Sequence, residues 1–167
     1  MNYHQPFSEL YRRYSKQIFL FCNHHSRNSD DAQNIYQESW LSLFEKIKSG
    51  EQINSVPAFM VTICRRRIID SLRNNSSKPD TVDVNDFDNI RTVVPDESFE
   101  INSILNRAID SLELVYKEAF IMNKINGLNI NEIAEITGET YDCIKKRVYR
   151  ASEKVKTAVK NYINGVE

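Results

Sequence analysis

The strip NNSSKPDTVDVNDFDNIRTVVPDESFE, from Asn74 to Glu100, limits the architecture more than any other part of the 167-residue chain. It carries Ser, Asn and Asp clusters and two prolines, Pro79 and Pro95, and lacks helical periodicity. That composition reads as a linker. A structureless loop of such length is uncommon inside one compact domain. The chain is therefore expected to form two small domains, residues 1–73 and 101–167, joined by an acidic flexible linker over 74–100. Each piece is short for an independent core, so each has to be an economical helical bundle. Charge follows the same division. Residues 1–73 hold 10 Lys and Arg against 7 Asp and Glu, residues 74–100 hold 2 against 7, and residues 101–167 hold 10 against 9.

Apolar residues on both sides of the strip recur at three- and four-residue steps, which predicts an all-α fold. The first helix is expected from about Phe7 to His25, with Phe7, Leu10, Tyr11, Tyr14, Ile18 and Phe21 inward. The second runs from about Asp30 to Lys48. Ser29 is its expected N-cap, and Asp30 and Asp31 suit the positive end of the helix dipole. Its apolar stripe is Ala32, Ile35, Tyr36, Trp40, Leu43, Phe44 and Ile47, and Gly50 ends it. The third starts near Ser55 with Pro57 in its first turn, where a missing N–H costs nothing. It reaches about Arg73 with Phe59, Met60, Ile63, Ile68, Ile69 and Leu72 inward. After the strip, helices are expected over Ile101–Leu112 and Val115–Lys124, then a short helix and a longer one reaching about Tyr162.

The composition, 41% hydrophobic and 27% charged, suits a globular soluble chain. No apolar run approaches the roughly 20 residues that cross a bilayer, so no membrane insertion is expected. MNYHQPFSELYRR has no apolar core segment, so a secretory signal is not expected there. The three cysteines, Cys22, Cys64 and Cys143, are far apart in sequence and fit reduced thiols in the cytoplasm. Cys22 stands near His24 and His25, but no second ligand pair follows at zinc-like spacing, so no metal and no cofactor is expected. There is no P-loop, no nucleophile with a base and no HExxH, and the chain has 4 glycines with which to build a catalytic loop. An enzyme is not expected.

The segment NINEIAEITGETYDCIKKRVYR, Asn129 to Arg150, carries the chemistry of interest. Asn129 and Glu132 have capping-box spacing, Gly138 suits a left-handed helix end, and Thr140 is a good N-cap for the next helix. In that second helix Ile144, Val148, Ala151 and Val155 fall inward, which leaves Lys145, Lys146, Tyr149 and Arg150 outside. That is the form of a helix-turn-helix, whose second helix enters the major groove. Taken by itself it fits a repressor, a response-regulator output domain or a transposase.

Both halves together resemble one family, the bacterial RNA polymerase sigma factors of the extracytoplasmic-function group. FSELYRRY, DDAQNIYQESWLSLFEKI and PAFMVTICRRRIIDSLR are similar to that family's region two, and AIDSLELVYKEAFIMNKINGLNINEIAEITGETYDCIKKRVYRA to its region four. The resemblance implies core RNA polymerase and promoter DNA as partners. Region two would bind the β′ clamp helices and open the −10 element, while region four would read the −35 element and touch the β flap. It also leaves room for an anti-sigma factor or another recruiting protein. The linker would thread towards the active-site cleft, where an acidic strip presents the charge of nucleic acid to basic walls. A solvated tether is the alternative. A helix-turn-helix regulator that never meets polymerase is the alternative to the whole reading, and a clamp-binding helix is what it would lack.

Residue by residue, the resemblance places Asn34, Gln37 and Glu38 at the clamp, with Asn34 where the family usually has Asp. Asn54, in the loop from Ser49 to Ser55, falls in the expected pocket for a flipped −10 base. Arg65, Arg66, Arg67, Asp70 and Arg73 fall on the promoter-facing helix, with Arg66 replacing a frequent Asn. A guanidinium there can hold phosphate or stack on an unpaired base. Tyr141, Lys145, Lys146, Tyr149 and Arg150 match the positions that contact −35 DNA, and Arg147 is expected to hold phosphate or pack along the helix. Two departures stand out. Glu139 and Asp142 put carboxylates beside the expected DNA backbone, and Glu113 follows Leu112 where the family has proline.

Overall fold

The computed structural model of the protein describes residues 4–74 and 97–165. Residues 75–96, most of the expected linker, lie outside the described residues. The chain divides into two compact units, Met1–Asn89 and Ile90–Glu167. The described residues are all-α, with no strand among them.

The first unit packs three helices against one another: α1 His4–His25, α2 Ser29–Lys48 and α3 Val56–Asn74. Asn28, not Ser29, caps α2. Its backbone is extended and its side chain accepts a hydrogen bond from the Asp31 amide at 2.8 Å. Ser29 is already inside the first turn, so the expected cap was one residue late. Ser55 performs the same service for α3, accepting from the Ala58 amide at 3.3 Å. The core joins Ile18, Phe21 and Cys22 of α1 to Ile35, Trp40 and Leu43 of α2 and to Met60, Val61, Cys64 and Ile68 of α3. Around its rim Phe7 and Tyr11 meet Trp40 at ring-centroid distances of 5.8 and 4.8 Å. Leu72, expected inward, is 44% exposed, because the buried line of α3 passes through Val61 and Cys64 and leaves its last turn outside.

One buried polar group was absent from the apolar reading. Ser39 is fully buried, donates to the Ile35 carbonyl at 2.7 Å and accepts from the Cys64 thiol at 3.2 Å. A small hydroxyl thus sits on the helix stripe because its own preceding turn and a neighbouring thiol satisfy it. Cys22 belongs to the same cluster. Its hydrogen bond with Cys64 and its burial push the thiol up, away from the reactive thiolate.

The second unit holds α4 Glu97–Asp110, α5 Leu114–Phe120, α6 Ile130–Thr137 and α7 Tyr141–Ile163. α4 begins at Glu97 rather than at Ile101, so it takes the last residues of the acidic strip. The helix expected to run straight to Lys124 changes pitch. After Phe120 it continues as a π-helical turn, Ile121–Ile125, closed by Asn126 N–H donating to the Ile121 carbonyl at 2.9 Å. The wider turn keeps Ile121 and Met122 fully buried, and the Leu128 amide then reaches the Met122 carbonyl at 3.0 Å. α7 packs across α4, α5 and α6, so that its position fixes the whole unit.

Candidate nucleic-acid interface

The turn between α6 and α7 is built as its residue types require. Asn129 N–H donates to Glu132 Oε2 at 2.9 Å, and Glu132 N–H donates to Asn129 Oδ1 at 3.0 Å, a reciprocal capping box. Gly138 ends α6 at φ 75° and returns its N–H to the Ala134 carbonyl at 2.9 Å. Thr140 then accepts from the Cys143 amide at 3.3 Å and starts α7. A Cβ on residue 138 would meet nothing within 4 Å, so only its backbone conformation demands glycine. Gly138→Ala is therefore expected to destabilise the second unit by about 1–2 kcal/mol through left-handed strain alone. Urea unfolding followed by helical circular dichroism measures it.

Ile144, Val148, Ala151 and Val155 are buried along one side of α7, as their spacing implies. Lys146 projects opposite that line, with Asp142, Tyr149 and Arg150 flanking it and Tyr141 and Lys145 at the edge. All six are exposed, Tyr149 by 68%. Arg147 is different. Its side chain is 22% exposed and donates to Glu139 Oε1 at 2.9 Å. The pair neutralises the carboxylate at the turn and occupies the guanidinium expected to hold phosphate. The eight-residue separation hid this contact, because it crosses the turn and no helix period links the two.

In the first unit, Asn34, Gln37 and Glu38 stand exposed along one edge of α2. Leu41 extends that edge and is 61% exposed. Sequence reasoning passed over it, although an apolar residue lying off the buried stripe was the available signal. On α3, Arg66 and Asp70 are exposed, Arg65 is half-buried, and Arg73 is exposed in the last turn. Arg67 turns back towards α2: one Nη donates to Glu38 Oε2 and the other to Ser42 Oγ at 3.1 Å. The structure therefore brings together two side chains assigned to different partners.

Asn54 is exposed in the loop before α3. That loop is tethered by Lys46, which donates to Glu51 Oε2, while Ser49 Oγ donates to Glu51 Oε1 at 3.3 Å. The Lys46 ammonium holds the Glu51 carboxyl below its usual range. The tether is complete at neutral pH and weakens as acid protonates Glu51. Among the described residues no group of His, Cys, Asp and Glu could hold a metal, and no helix is long and apolar enough to cross a membrane.

Comparison with known proteins covers both units. Residues 10–78 match Sigma-70 region 2, and residues 103–155 match Sigma-70, region 4. RNA polymerase sigma factor SigV of Bacillus subtilis (strain 168) is 32% identical over 126 residues, 75% of this chain and 74% of that protein. The ferric citrate uptake sigma factor FecI of Escherichia coli (strain K12) is 24% identical, over 88% of this chain and 87% of its own length. The fold resembles the sigma factor RpoE from Bartonella quintana, solved in complex with the anti-sigma factor NepR. That match has a TM-score of 0.69 at 21% identity and covers 93% of this chain and 98% of that one. CnrH, solved in complex with the cytosolic domain of CnrY, matches with a TM-score of 0.61 at 13% identity, over 94% and 89% of the two chains. With region 2 and region 4 matched in order along one chain, the protein belongs to the extracytoplasmic-function group of RNA polymerase sigma factors, which direct polymerase to promoters.

Proposed function

We propose that three exposed faces divide the work of transcription initiation, and that they act by binding alone. The α2 edge bearing Asn34, Gln37 and Glu38 docks on the β′ clamp helices of core RNA polymerase. The loop with Asn54 and the α3 face with Arg65, Arg66, Asp70 and Arg73 engage the −10 element as it melts. α7 reads the −35 element from the major groove through Lys145, Lys146, Tyr149, Arg150 and Tyr141, while the same unit meets the β flap. The acidic residues of 74–100 join the two units. An anti-sigma factor or another recruiting protein is a further partner of this reading, by likeness to RpoE held by NepR.

The observation that carries the reading is the exposed polar edge of α2 in a chain that also presents a basic recognition helix. A free-standing helix-turn-helix regulator needs the second feature and has no use for the first. Gel filtration with core polymerase at moderate salt tests it. Co-elution, followed by transcripts that start at a defined promoter set, is the expected result. DNA binding without co-elution would instead identify a regulator that acts without polymerase.

Asn34 provides a finer test. Asp at this exposed position restores the carboxylate usual in the family, so Asn34→Asp is expected to tighten core binding by about 2–5-fold, the range of an exposed ion pair. Titration of labelled protein with core enzyme measures it, and unchanged affinity would mean that this edge meets the clamp in another register.

A further inference from the structure

We propose that Arg67 serves the polymerase-facing edge as the positioning residue for Glu38 and does not contact promoter DNA. The inference rests on the reading above, in which the α2 edge meets polymerase.

Arg65, Arg66 and Arg67 are consecutive, so their side chains fan around α3 at about 100° intervals. The buried residues Cys64 and Ile68 set the inward direction, and Arg66 is left exposed. Arg67 follows Cys64 by three residues and precedes Ile68, which brings it to the groove beside α2. There its two terminal nitrogens are both engaged, one by Glu38 Oε2 and one by Ser42 Oγ at 3.1 Å. Ser42 in turn donates to the Glu38 carbonyl at 3.0 Å. Glu38 and Ser42 are one helical turn apart, so the guanidinium spans a complete turn of α2. Its Nε is shut off from solvent. A phosphate would have to share terminal nitrogens already bonded to Glu38 and Ser42 and come up beside the Glu38 carboxylate, whereas no carboxylate is bonded to the exposed Arg66.

The arrangement suits a different task. Glu38 is a long side chain with several rotamers, and ordering it on binding costs affinity. Arg67 orders it beforehand. The hydrogen bond uses Oε2, and the Glu38 side chain remains 56% exposed, so Oε1 stays available to a cation on the partner. Ser42 fixes the guanidinium plane, which a lysine could not exploit, since an ammonium lacks the two-pronged geometry.

The test is a double-variant cycle on the full-length protein, with core affinity and promoter opening read separately. Arg67→Ala is expected to weaken core binding by about 2–5-fold, the scale of an exposed pair. In the background of Glu38→Ala the same change should have no further effect on core binding, because there is no carboxylate left to position. Arg67→Lys should recover part of the loss. At core concentrations that saturate every variant, the fraction of open promoter, read by permanganate reactivity of unpaired thymines, should equal wild type. Independent losses from Glu38→Ala and Arg67→Ala would overturn the proposal, since a residue that only supports the fold would act whether or not Glu38 is present. Reduced opening at saturating core, with core affinity unchanged, would return Arg67 to the promoter. Wild-type protein that fails to bind core would sink the underlying reading instead, which keeps the two failures apart.

Discussion

Replacing Lys145 and Arg150 by alanine together is expected to lower occupancy of −35-containing promoter DNA by at least about 30-fold, with core binding unchanged. Both side chains are exposed on α7, Arg150 on the face turned away from Ile144 and Val148 and Lys145 at its edge. A good contact from lysine or arginine to a guanine edge contributes about 1–3 kcal/mol, so two lost contacts bracket the effect. The variant should also show a shallower dependence on salt, by up to about 1.8 in the logarithmic slope if both contacts displace counterions. Neither residue is buried, so the fold should survive and the melting temperature should stay near wild type. Occupancy measured by footprinting with holoenzyme at several salt concentrations separates the outcomes. Unchanged occupancy would mean that α7 is not the promoter reader.

The structure alters what the two carboxylates near this face imply. Glu139 is paired with Arg147, so its charge is compensated before DNA arrives. Asp142 is exposed on the face proposed to read the −35 element, one turn before Lys146. It can accept from a cytosine amino group in the groove, which would make it a contributor to sequence choice rather than a general repulsion. The same footprints, run with Asp142→Asn on several promoter sequences, distinguish a uniform gain in affinity from a change in preference.

The fold was legible because its signals are local. Capping at Asn129 and Thr140, the left-handed Gly138 and the inward line of α7 all follow from spacings of three or four residues, and each appears in the structure. The π-helical turn was not legible. It is closed by a hydrogen bond between residues five apart, Asn126 to Ile121, a spacing that the three- and four-residue pattern does not encode. The candidate faces were legible to the same limit. Exposure of Gln37, Glu38, Lys146 and Tyr149 follows from helix phase. The pairings of Arg67 with Glu38 and of Arg147 with Glu139 do not, because they join residues 29 and 8 positions apart. Identifying which cation meets DNA requires knowing which carboxylate has already claimed it.

Ile133→Ala is expected to have the largest effect on the protein itself. α6 has eight residues, too few to persist alone in water. Ile133 is its one residue buried in the unit's core, at 0% exposure. Truncating such a side chain typically costs about 2–5 kcal/mol, part of it from the cavity that remains. That is a large share of the roughly 4–10 kcal/mol available to a unit of this size. Losing α6 also removes the turn at Gly138 from which α7 starts, so the promoter reading proposed for α7 should fail with stability. The first unit provides an internal control. The chain's single tryptophan, Trp40, lies in that unit at 5% exposure, so its fluorescence reports region 2 separately. In Ile133→Ala the helical circular dichroism should unfold at lower denaturant, while the Trp40 transition and core binding stay where they were. A Trp40 transition that moved in parallel would mean that the two units unfold as one, and that region 4 lends stability to region 2.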